Sequence, residues 1–166
     1  MKKCIIPGSY DPVTRGHFEL FKAASAIFDM VYPVILINSE KKSGMFTSQE
    51  RLDIMNAANE KMIENGIKNI VPILYEGLTT DSALELGADF IVKGVRNSTD
   101  FTYEYDLAEI SRRFCPNLQT VFIPSKAEVA CVSSTYVREL IKYERFDSND
   151  FADGTVEVIK NIINKR

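Results

Sequence analysis

The sequence predicts an α/β protein built on a doubly wound, five-stranded parallel sheet with strand order 3-2-1-4-5 and helices on both faces. Three observations predict this fold. Short apolar runs recur along the chain, segments with helical spacing separate them, and none of the runs alternates strictly between polar and apolar residues. Continuous apolar runs are typical of parallel strands covered on both faces, and strand–helix alternation favours right-handed crossovers of the Rossmann-like kind.

The five predicted strands are the apolar runs 4–6, 34–37, 70–74, 90–92 and 121–123. Pro72 lies inside the third run, and proline cannot donate a hydrogen bond to a sheet ladder. The order 3-2-1-4-5 places this strand at an edge, where the missing donor is tolerated. Pro33 directly precedes the second run, so we expect that strand to begin after it.

Apolar residues at helical spacing predict helices over 17–28, 47–58, 80–86, 100–114, 134–143 and 156–163. Thr47 and Glu50 have the spacing of a capping box at the start of the second helix. Gly87 is a favourable stop for the third helix, and Pro116 follows the end of the fourth. No repeat, low-complexity tract or linker interrupts the 166 residues, so we expect a single domain over 1–166.

Composition argues against several classes of function. The formal net charge of −3 disfavours a general nucleic-acid-binding protein, so we expect no nucleic-acid partner. No apolar stretch is long enough for a signal peptide or a membrane span, so we expect no membrane partner either. The three cysteines include no C-x-x-C pair and indicate neither a disulfide framework nor a zinc site. A reducing cytoplasm is therefore the expected compartment.

The most informative stretch is PGSYDPVTRGH at 7–17, between the first strand and the first helix. Ligands bind at this end of the strands in doubly wound sheets, and a helix that begins near Gly16 presents free backbone N–H groups to phosphate. Ser9 adds a hydroxyl donor, and His17, the only histidine, lies in the first helical turn. The alternative is structural, with a shaped turn and a histidine satisfied in the core. The string is neither a G-x-G-x-x-G fingerprint nor a Walker loop, which argues against hydride transfer and P-loop hydrolysis.

A second phosphate site is predicted after the last strand, in the string VSSTYVR at 132–138. Successive hydroxyls at a helix N-terminus supply donors beside unpaired backbone amides, and Arg138 adds a guanidinium one turn further on. Taken alone, the three hydroxyls are better explained by N-capping. Two helix N-termini that meet above one sheet favour the phosphate interpretation, with the α phosphate at the first and the β and γ phosphates at the second.

Together, TRGH at 14–17 and VSSTYVR at 132–138 resemble the two signatures of the T/H-x-G-H nucleotidyltransferase superfamily. Within it, the chain is most similar to the phosphopantetheine adenylyltransferase family, whose motifs it follows in order through nearly its whole length. The further matches are KKSGMFTSQER at 41–51, KGVR at 93–96 and DFTYE at 100–104. Cytidylyltransferases and nicotinate-mononucleotide adenylyltransferases usually have histidine at the position of Thr14.

The resemblance implies transfer of the AMP part of ATP to 4′-phosphopantetheine, giving dephospho-coenzyme A and pyrophosphate. It also implies Mg²⁺ bound mainly through ATP, no metal site built by the protein, and a homohexamer. His17 is expected to stabilise the transition state. Nucleotide contacts are implied for Ser9, Tyr10, His17, Gly94, Val95, Arg96, Glu104, Val129, Ala130, Cys131, Val132, Ser133, Ser134 and Thr135, and acceptor contacts for Ser9, Lys41, Thr79 and Lys93.

The chain departs from the family pattern in three places. Lys93 stands where arginine is usual, which replaces a planar bidentate fork by a point charge. Ser9 replaces threonine, and the loop 127–131 is one residue longer than usual and lacks the usual aromatic residues. We therefore expect altered acceptor affinity and altered adenine contacts.

An acceptor that is already a phosphate anion needs no general base. The expected chemistry is direct in-line attack with no covalent intermediate, promoted by positioning and electrostatics. Two alternatives stay open at this point. One is a related enzyme with another phosphate acceptor, such as a nucleotide or a sugar phosphate. The other is a noncatalytic nucleotide sensor, against which the intact Thr14, His17 and Arg138 argue.

Overall fold

A computed structural model describes residues 1–37 and 44–166. Within these residues the strands are β1 Lys3–Gly8, β2 Met30–Ile37, β3 Ile73–Glu76, β4 Phe90–Val95 and β5 Gln119–Pro124. The helices are α1 Arg15–Ser25, α2 Ser48–Glu64, α3 Thr79–Leu86, α4 Ser98–Phe114, α5 Ser134–Lys142 and α6 Thr155–Ile163. The strands form one parallel sheet of order β3-β2-β1-β4-β5, which confirms the predicted order.

The two faces of the sheet carry separate apolar clusters. Cys4 and Ile6 of β1 pack into the larger cluster, together with side chains of α1, α2, α5 and α6. Ile5 lies between them in the strand and packs on the opposite face, with Val34 of β2 and Ala83 of α3. Since successive residues of a strand point to opposite faces, a strand buried on both faces has a continuous apolar sequence. Helices therefore cover both faces, as predicted.

The second strand corrects the prediction for Pro33. β2 begins at Met30, so Pro33 lies inside the strand and does not precede it. The Val31 N–H donates to the Asn69 carbonyl on the β3 side at 2.9 Å, so Pro33, two positions on, also directs its nitrogen to that side. The ladder between β2 and β3 begins only at Val34. The missing N–H thus falls where no ladder bond is required, which is why proline is tolerated here.

The third strand is confirmed as an edge strand, but its position differs from the predicted run 70–74. β3 begins at Ile73, and only an isolated bridge between Val31 and Ile70 precedes it. Pro72 therefore lies just before the strand, where it leaves no gap in the ladder.

Side-chain caps set the starts of α2 and α4. Thr47 and Glu50 form the predicted capping box of α2, with the Thr47 N–H donating to Glu50 Oε2 at 2.7 Å and the Glu50 N–H to Thr47 Oγ1 at 3.2 Å. α4 begins at Ser98, before the predicted residue 100, because the Asn97 side chain caps it. Gly87 ends α3 in the left-handed conformation, as predicted. In the part of the chain that the structure describes, no helix has both the length and the apolar composition needed to cross a bilayer.

The contact between α6 and α2 depends on Gly154. This residue adopts φ 82°, and a Cβ there would lie 2.8 Å from the Ala57 carbonyl oxygen and from Lys61 Cγ, both on α2. We expect Gly154→Ala to lower the free energy of unfolding by about 2–4 kcal/mol, because left-handed strain adds to overpacking. Urea unfolding monitored by circular dichroism measures the loss.

Gly66 provides a matched control. It adopts φ 87°, but an added Cβ meets nothing within 4 Å. Gly66→Ala therefore carries only the backbone strain of about 1 kcal/mol. Equal losses in the two variants would contradict the tight α2–α6 contact.

Candidate active site

The carboxyl ends of β1 and β4 open into a cleft of about 330 Å³. Residues at the N-terminal ends of α1 and α5 both line this cleft, and residues of α4 form part of its wall. A methyl group on Gly16, in the first turn of α1, would lie 3.5 Å from the carbonyl oxygens of Val129 and Val132, which precede α5. The structure therefore brings the two predicted phosphate sites together above one edge of the sheet.

Most of the predicted site residues line this cleft. They are Ser9, Tyr10, His17, Lys93, Gly94, Arg96, Glu104, Val129, Val132, Ser133 and Ser134. The close approach of α1 to β4 explains the glycine at position 94, because a Cβ there would lie 3.0 Å from Leu20 Cδ2.

The remaining predicted residues lie elsewhere. Val95, Ala130, Cys131 and Thr135 flank the cleft without lining it. Thr79 lines a neighbouring cavity of about 210 Å³, which shares Lys93 and Glu104 with the first. Lys41 lies outside the described residues.

His17 is held as a neutral ring. Its Nδ1 accepts the backbone N–H of Thr14 at 3.0 Å. Burial, and to a lesser extent the nearby Arg96 guanidinium, lowers the pKa of His17 to about 4. Because Nδ1 is an acceptor in a neutral ring, the proton is on Nε2. The Nε2–H is therefore the group that this imidazole offers to a ligand in the cleft.

The ring of Tyr10 packs against the His17 imidazole. The contact is edge-on, with 4.9 Å between ring centroids, and Tyr10 is almost fully buried. The hydroxyl donates to the Ile6 carbonyl at 2.6 Å, and burial raises the pKa of Tyr10 well above its ordinary value. The residue also adopts φ 45°, an uncommon conformation for a side chain of this size. The hydroxyl is thus engaged with the backbone, and the ring is the part that contacts His17.

Asp11 connects the loop after β1 to two helices. Its carboxylate accepts the backbone N–H groups of Met45 and Phe46, which precede α2, each at 2.9 Å. Arg51 Nε of α2 lies 3.4 Å from one carboxylate oxygen, and Arg138 Nη1 of α5 lies 3.7 Å from the other. The buried carboxylate is therefore neutralised by guanidinium groups from two elements.

The same guanidinium groups hold the backbone of the loop. Arg138 Nη1 donates to the Asp11 carbonyl at 2.7 Å, and Arg51 Nη1 donates to the Ser9 carbonyl at 3.2 Å. The sequence patterns did not single out Asp11 or Arg51, and they predicted Arg138 beside the β and γ phosphates. In the structure Arg138 contacts the loop and does not line the cleft.

The hydroxyls at the tip of α5 have separate partners. Ser133 Oγ accepts the Tyr136 N–H at 3.2 Å and caps the helix. Ser134 Oγ donates to the Pro12 carbonyl at 2.8 Å, and Thr135 Oγ1 accepts from Arg138 Nη2 at 2.9 Å. The donors that remain at this tip are the backbone N–H groups of Ser134 and Thr135, because the Tyr136 N–H is already capped by Ser133.

The charged side chains in the described lining of the cleft form two ion pairs. Lys93 Nζ lies 2.9 Å from Glu104 Oε2, and Arg96 Nη2 lies 3.2 Å from Asp100 Oδ1. The hydrogen bond between Arg96 and Asp100 raises the pKa of the guanidinium and lowers that of the carboxyl. With His17 neutral, the formal charges of this lining sum to zero.

Comparisons with known proteins bear on the family of this chain. A family model described as cytidylyltransferase-like matches residues 5–140. The chain is 41% identical to a phosphopantetheine adenylyltransferase of Lactobacillus johnsonii, over 85% of this chain and 82% of that protein. It is 35% identical to a protein of the same name from Clostridium novyi, over 99% and 97% of the two chains. The chain belongs to the phosphopantetheine adenylyltransferase family. It is therefore a nucleotidyltransferase.

Solved structures support the fold of this family member. A bifunctional NMN adenylyltransferase/ADP ribose pyrophosphatase from Francisella tularensis matches it with a TM-score of 0.70 at 13% identity, over 98% of this chain and 50% of that one. A structure with the same description, complexed with AMP and a manganese ion, matches with a TM-score of 0.64 at 11% identity, over 98% and 49%. At these identities the likeness shows the fold alone.

Loss of the Asp11 carboxylate is expected to destabilise the adenylyltransferase strongly. Asp11→Ala leaves the backbone N–H groups of Met45 and Phe46 without an acceptor and two guanidinium groups without their counter-charge. We expect the free energy of unfolding to fall by about 3–5 kcal/mol in chemical denaturation. The control is Asp147→Ala, because that carboxylate is 75% exposed and pairs with the exposed Arg145. The control should lose less than about 0.5 kcal/mol, and an equal loss in both variants would contradict the role of Asp11.

The state of His17 can be read directly because the chain has one histidine. We expect its NMR titration midpoint at about pH 4 and ¹⁵N shifts typical of the Nε2–H tautomer above that pH. An unfolded chain titrates at about pH 6.5, so the free energy of unfolding should decrease as the pH falls from about 6.5 to about 4. His17→Gln should reduce that decrease. A midpoint near 6.5 in the folded protein would contradict a half-buried ring that is neutral above about pH 4.

Proposed function

We propose that this enzyme transfers the adenylyl group of ATP to 4′-phosphopantetheine, giving dephospho-coenzyme A and pyrophosphate in coenzyme A biosynthesis. The observation that carries the proposal is the convergence of the α1 and α5 tips on one cleft, with His17 between them. Both tips direct backbone N–H groups and positive dipole ends toward the same space, which suits a triphosphate. The names of the relatives specify the acceptor.

In the proposed mechanism, ATP lies with its phosphates between the two tips and its α phosphate beside His17. The neutral imidazole donates its Nε2–H to an oxygen on the α phosphorus, where negative charge increases in the transition state. It transfers no proton, so its low pKa is compatible with activity at neutral pH. Gly94 lets β4 approach α1 closely, and Arg96 adds positive charge at the rim.

The acceptor occupies the junction of the two cavities. Its phosphate lies at Lys93, which lines both, and its pantetheine arm extends into the 210 Å³ cavity beside Thr79. That cavity has an apolar wall, with Ile91 and Leu107 among its residues, which suits an uncharged arm. By family resemblance Lys41 also binds this phosphate.

The reaction itself needs no acid or base from the protein. An oxygen of the acceptor phosphate forms a bond to the α phosphorus, and the bond from that phosphorus to the oxygen bridging to the β phosphorus breaks. The electron pair leaves on pyrophosphate, in line with the attack, without a covalent enzyme intermediate. Holding two anions at bonding distance is the main task, and it falls to the backbone amides, His17 and Lys93.

Divalent metal use is consistent with the residues present, and we propose Mg²⁺. Among the described residues, no group of three or more His, Cys, Asp and Glu side chains is placed to hold a metal ion. The acids of the described cleft lining, Asp100 and Glu104, are each paired with a cation. This donor set suits an ion bound mainly by triphosphate oxygens and water. When bound, Mg²⁺ neutralises charge on the phosphates.

We also propose the hexameric assembly and the cytoplasmic location implied by the family. An assembly is supported by exposed apolar side chains on α4, where Ile110 is 49% and Phe114 is 71% exposed. A reducing compartment is supported by Cys131, an exposed free thiol. Sedimentation velocity and cell fractionation test these two points.

The decisive experiment is an acceptor panel. Purified protein with ATP and Mg²⁺ is given 4′-phosphopantetheine, pantetheine, nicotinate mononucleotide, a pyrimidine nucleotide or a sugar phosphate, and pyrophosphate release is followed. Of these acceptors, we expect only 4′-phosphopantetheine to give pyrophosphate release. Release with another phosphate acceptor would replace the proposed substrate, and no release with any acceptor would favour a nucleotide sensor.

His17→Ala tests the proposed catalytic role. We expect kcat to fall by roughly 10²–10³-fold, as for the loss of one transition-state donor, while ATP still binds. Lys22→Ala, an exposed change in the same helix, is the control and should keep wild-type turnover. Steady-state kinetics and ATP titration calorimetry separate the two effects. Near-wild-type kcat in His17→Ala would remove the imidazole from the mechanism.

A further inference from the structure

We propose that Glu104 competes with the acceptor phosphate for the ammonium group of Lys93 and thereby limits the affinity for the acceptor. Lys93 then exchanges a carboxylate for a phosphate when the acceptor enters. This inference rests on the proposed function, because it takes the acceptor to be a phosphate bound at Lys93. It concerns a different step, the binding of the acceptor before ATP reacts.

The starting point is the pairing of Lys93 and Glu104 in the free protein. The two side chains are 20% and 19% exposed, and Nζ lies 2.9 Å from Oε2. Glu104 Oε2 is inaccessible to solvent, yet it accepts no well-aligned hydrogen bond from the described residues, although Nζ lies within contact distance. The pair is therefore a close contact of opposite charges in which the carboxylate oxygen is poorly satisfied. Such a contact is more easily exchanged than a well-aligned, bidentate pair.

The pair of Lys93 and Glu104 lies where an incoming acceptor must contact it. Lys93 and Glu104 both line the 330 Å³ cleft and the 210 Å³ cavity, so the pair stands where the two spaces meet. A molecule with a phosphate in the cleft and an arm in the cavity must contact it. A phosphate that binds Lys93 has to displace Glu104, because both ligands seek the same ammonium group.

The sequence explains why Lys93 allows a competition of this kind. A lysine ammonium is a compact point charge on a flexible stem, whereas an arginine fork contacts two oxygen partners at once. Arg96, the other cation of the described lining, is engaged with Asp100 through Nε and Nη2. The Glu104 carboxylate is also close enough to Arg96 to raise the pKa of the guanidinium further. Glu104 therefore keeps a positive charge nearby, that of Arg96, when Lys93 binds the acceptor.

Competition predicts a gain of affinity on removal of the carboxylate charge. We expect Glu104→Gln to lower the Kd for 4′-phosphopantetheine roughly tenfold, measured by titration calorimetry without ATP. The Kd for pantetheine, which has no phosphate, should change less than about twofold. Inorganic phosphate, followed by ³¹P NMR, should bind more tightly to the variant as well. Glu109→Gln is the matched control, because Glu109 is a partly exposed acid of the same helix that is paired with Arg112.

A double-mutant cycle identifies Lys93 as the group through which Glu104 acts. In a Lys93→Met background, Glu104→Gln should no longer change the phosphate affinity. Circular dichroism and urea unfolding verify that each variant is folded. Weaker or unchanged acceptor binding in Glu104→Gln would overturn the proposal, and so would an undiminished gain in the Lys93→Met background.

The failure of this inference is distinguishable from the failure of the proposed function. If the acceptor panel gives pyrophosphate release but Glu104→Gln does not tighten phosphate binding, the competition alone is wrong. If no acceptor reacts but inorganic phosphate binds more tightly to Glu104→Gln and not to the variant that also carries Lys93→Met, the competition stands and the reaction does not.

Discussion

The buried carboxylate of Asp11 is the interaction on which the site depends. A charge removed from water must be paired and hydrogen-bonded, and Asp11 meets both requirements with partners from three parts of the chain. Two backbone amides come from the approach to α2, one guanidinium from α2 and one from α5. Satisfying one small group thus fixes the position of the loop after β1 relative to two helices.

A second set of contacts fixes the start of α1. Thr14 forms an antiparallel bridge with Phe151, and the Arg15 N–H donates to the Asp150 carbonyl at 3.0 Å. The backbone N–H of Thr14 in turn orients His17. The segment before α6 therefore acts on the imidazole through the residue that caps α1.

The sequence predicted the features that local patterns encode. Apolar runs and the capping box of Thr47 and Glu50 depend on neighbouring residues, so the strands and the start of α2 were predictable. The strand order followed from the doubly wound fold class that strand–helix alternation indicates. Both strings that were predicted to bind phosphate contribute residues to the same cleft, and they could be singled out because their residues are consecutive. Pro33 was misplaced because its tolerance depends on where the neighbouring strand begins.

The features that the sequence could not predict join residues far apart in the chain. Arg138 donates to the carbonyl of Asp11, 127 positions away, so nothing near either residue distinguishes a loop contact from a phosphate contact. The pairing of Lys93 with Glu104 is of the same kind, because it depends on how α4 packs over β4. Asp11 lies within a motif that was recognised, but its neighbours in the sequence do not reveal which groups its carboxylate accepts.

The balance of charge in the cleft has a consequence for the approach of ligands. The chain has a formal charge of −3, and the described cleft lining sums to zero, so these groups exert little long-range attraction on an anion in solution. Electrostatic steering accelerates association when a surface presents uncompensated charge, and salt then slows the encounter. Here the described lining favours recognition at short range, after ordinary diffusion has delivered the nucleotide.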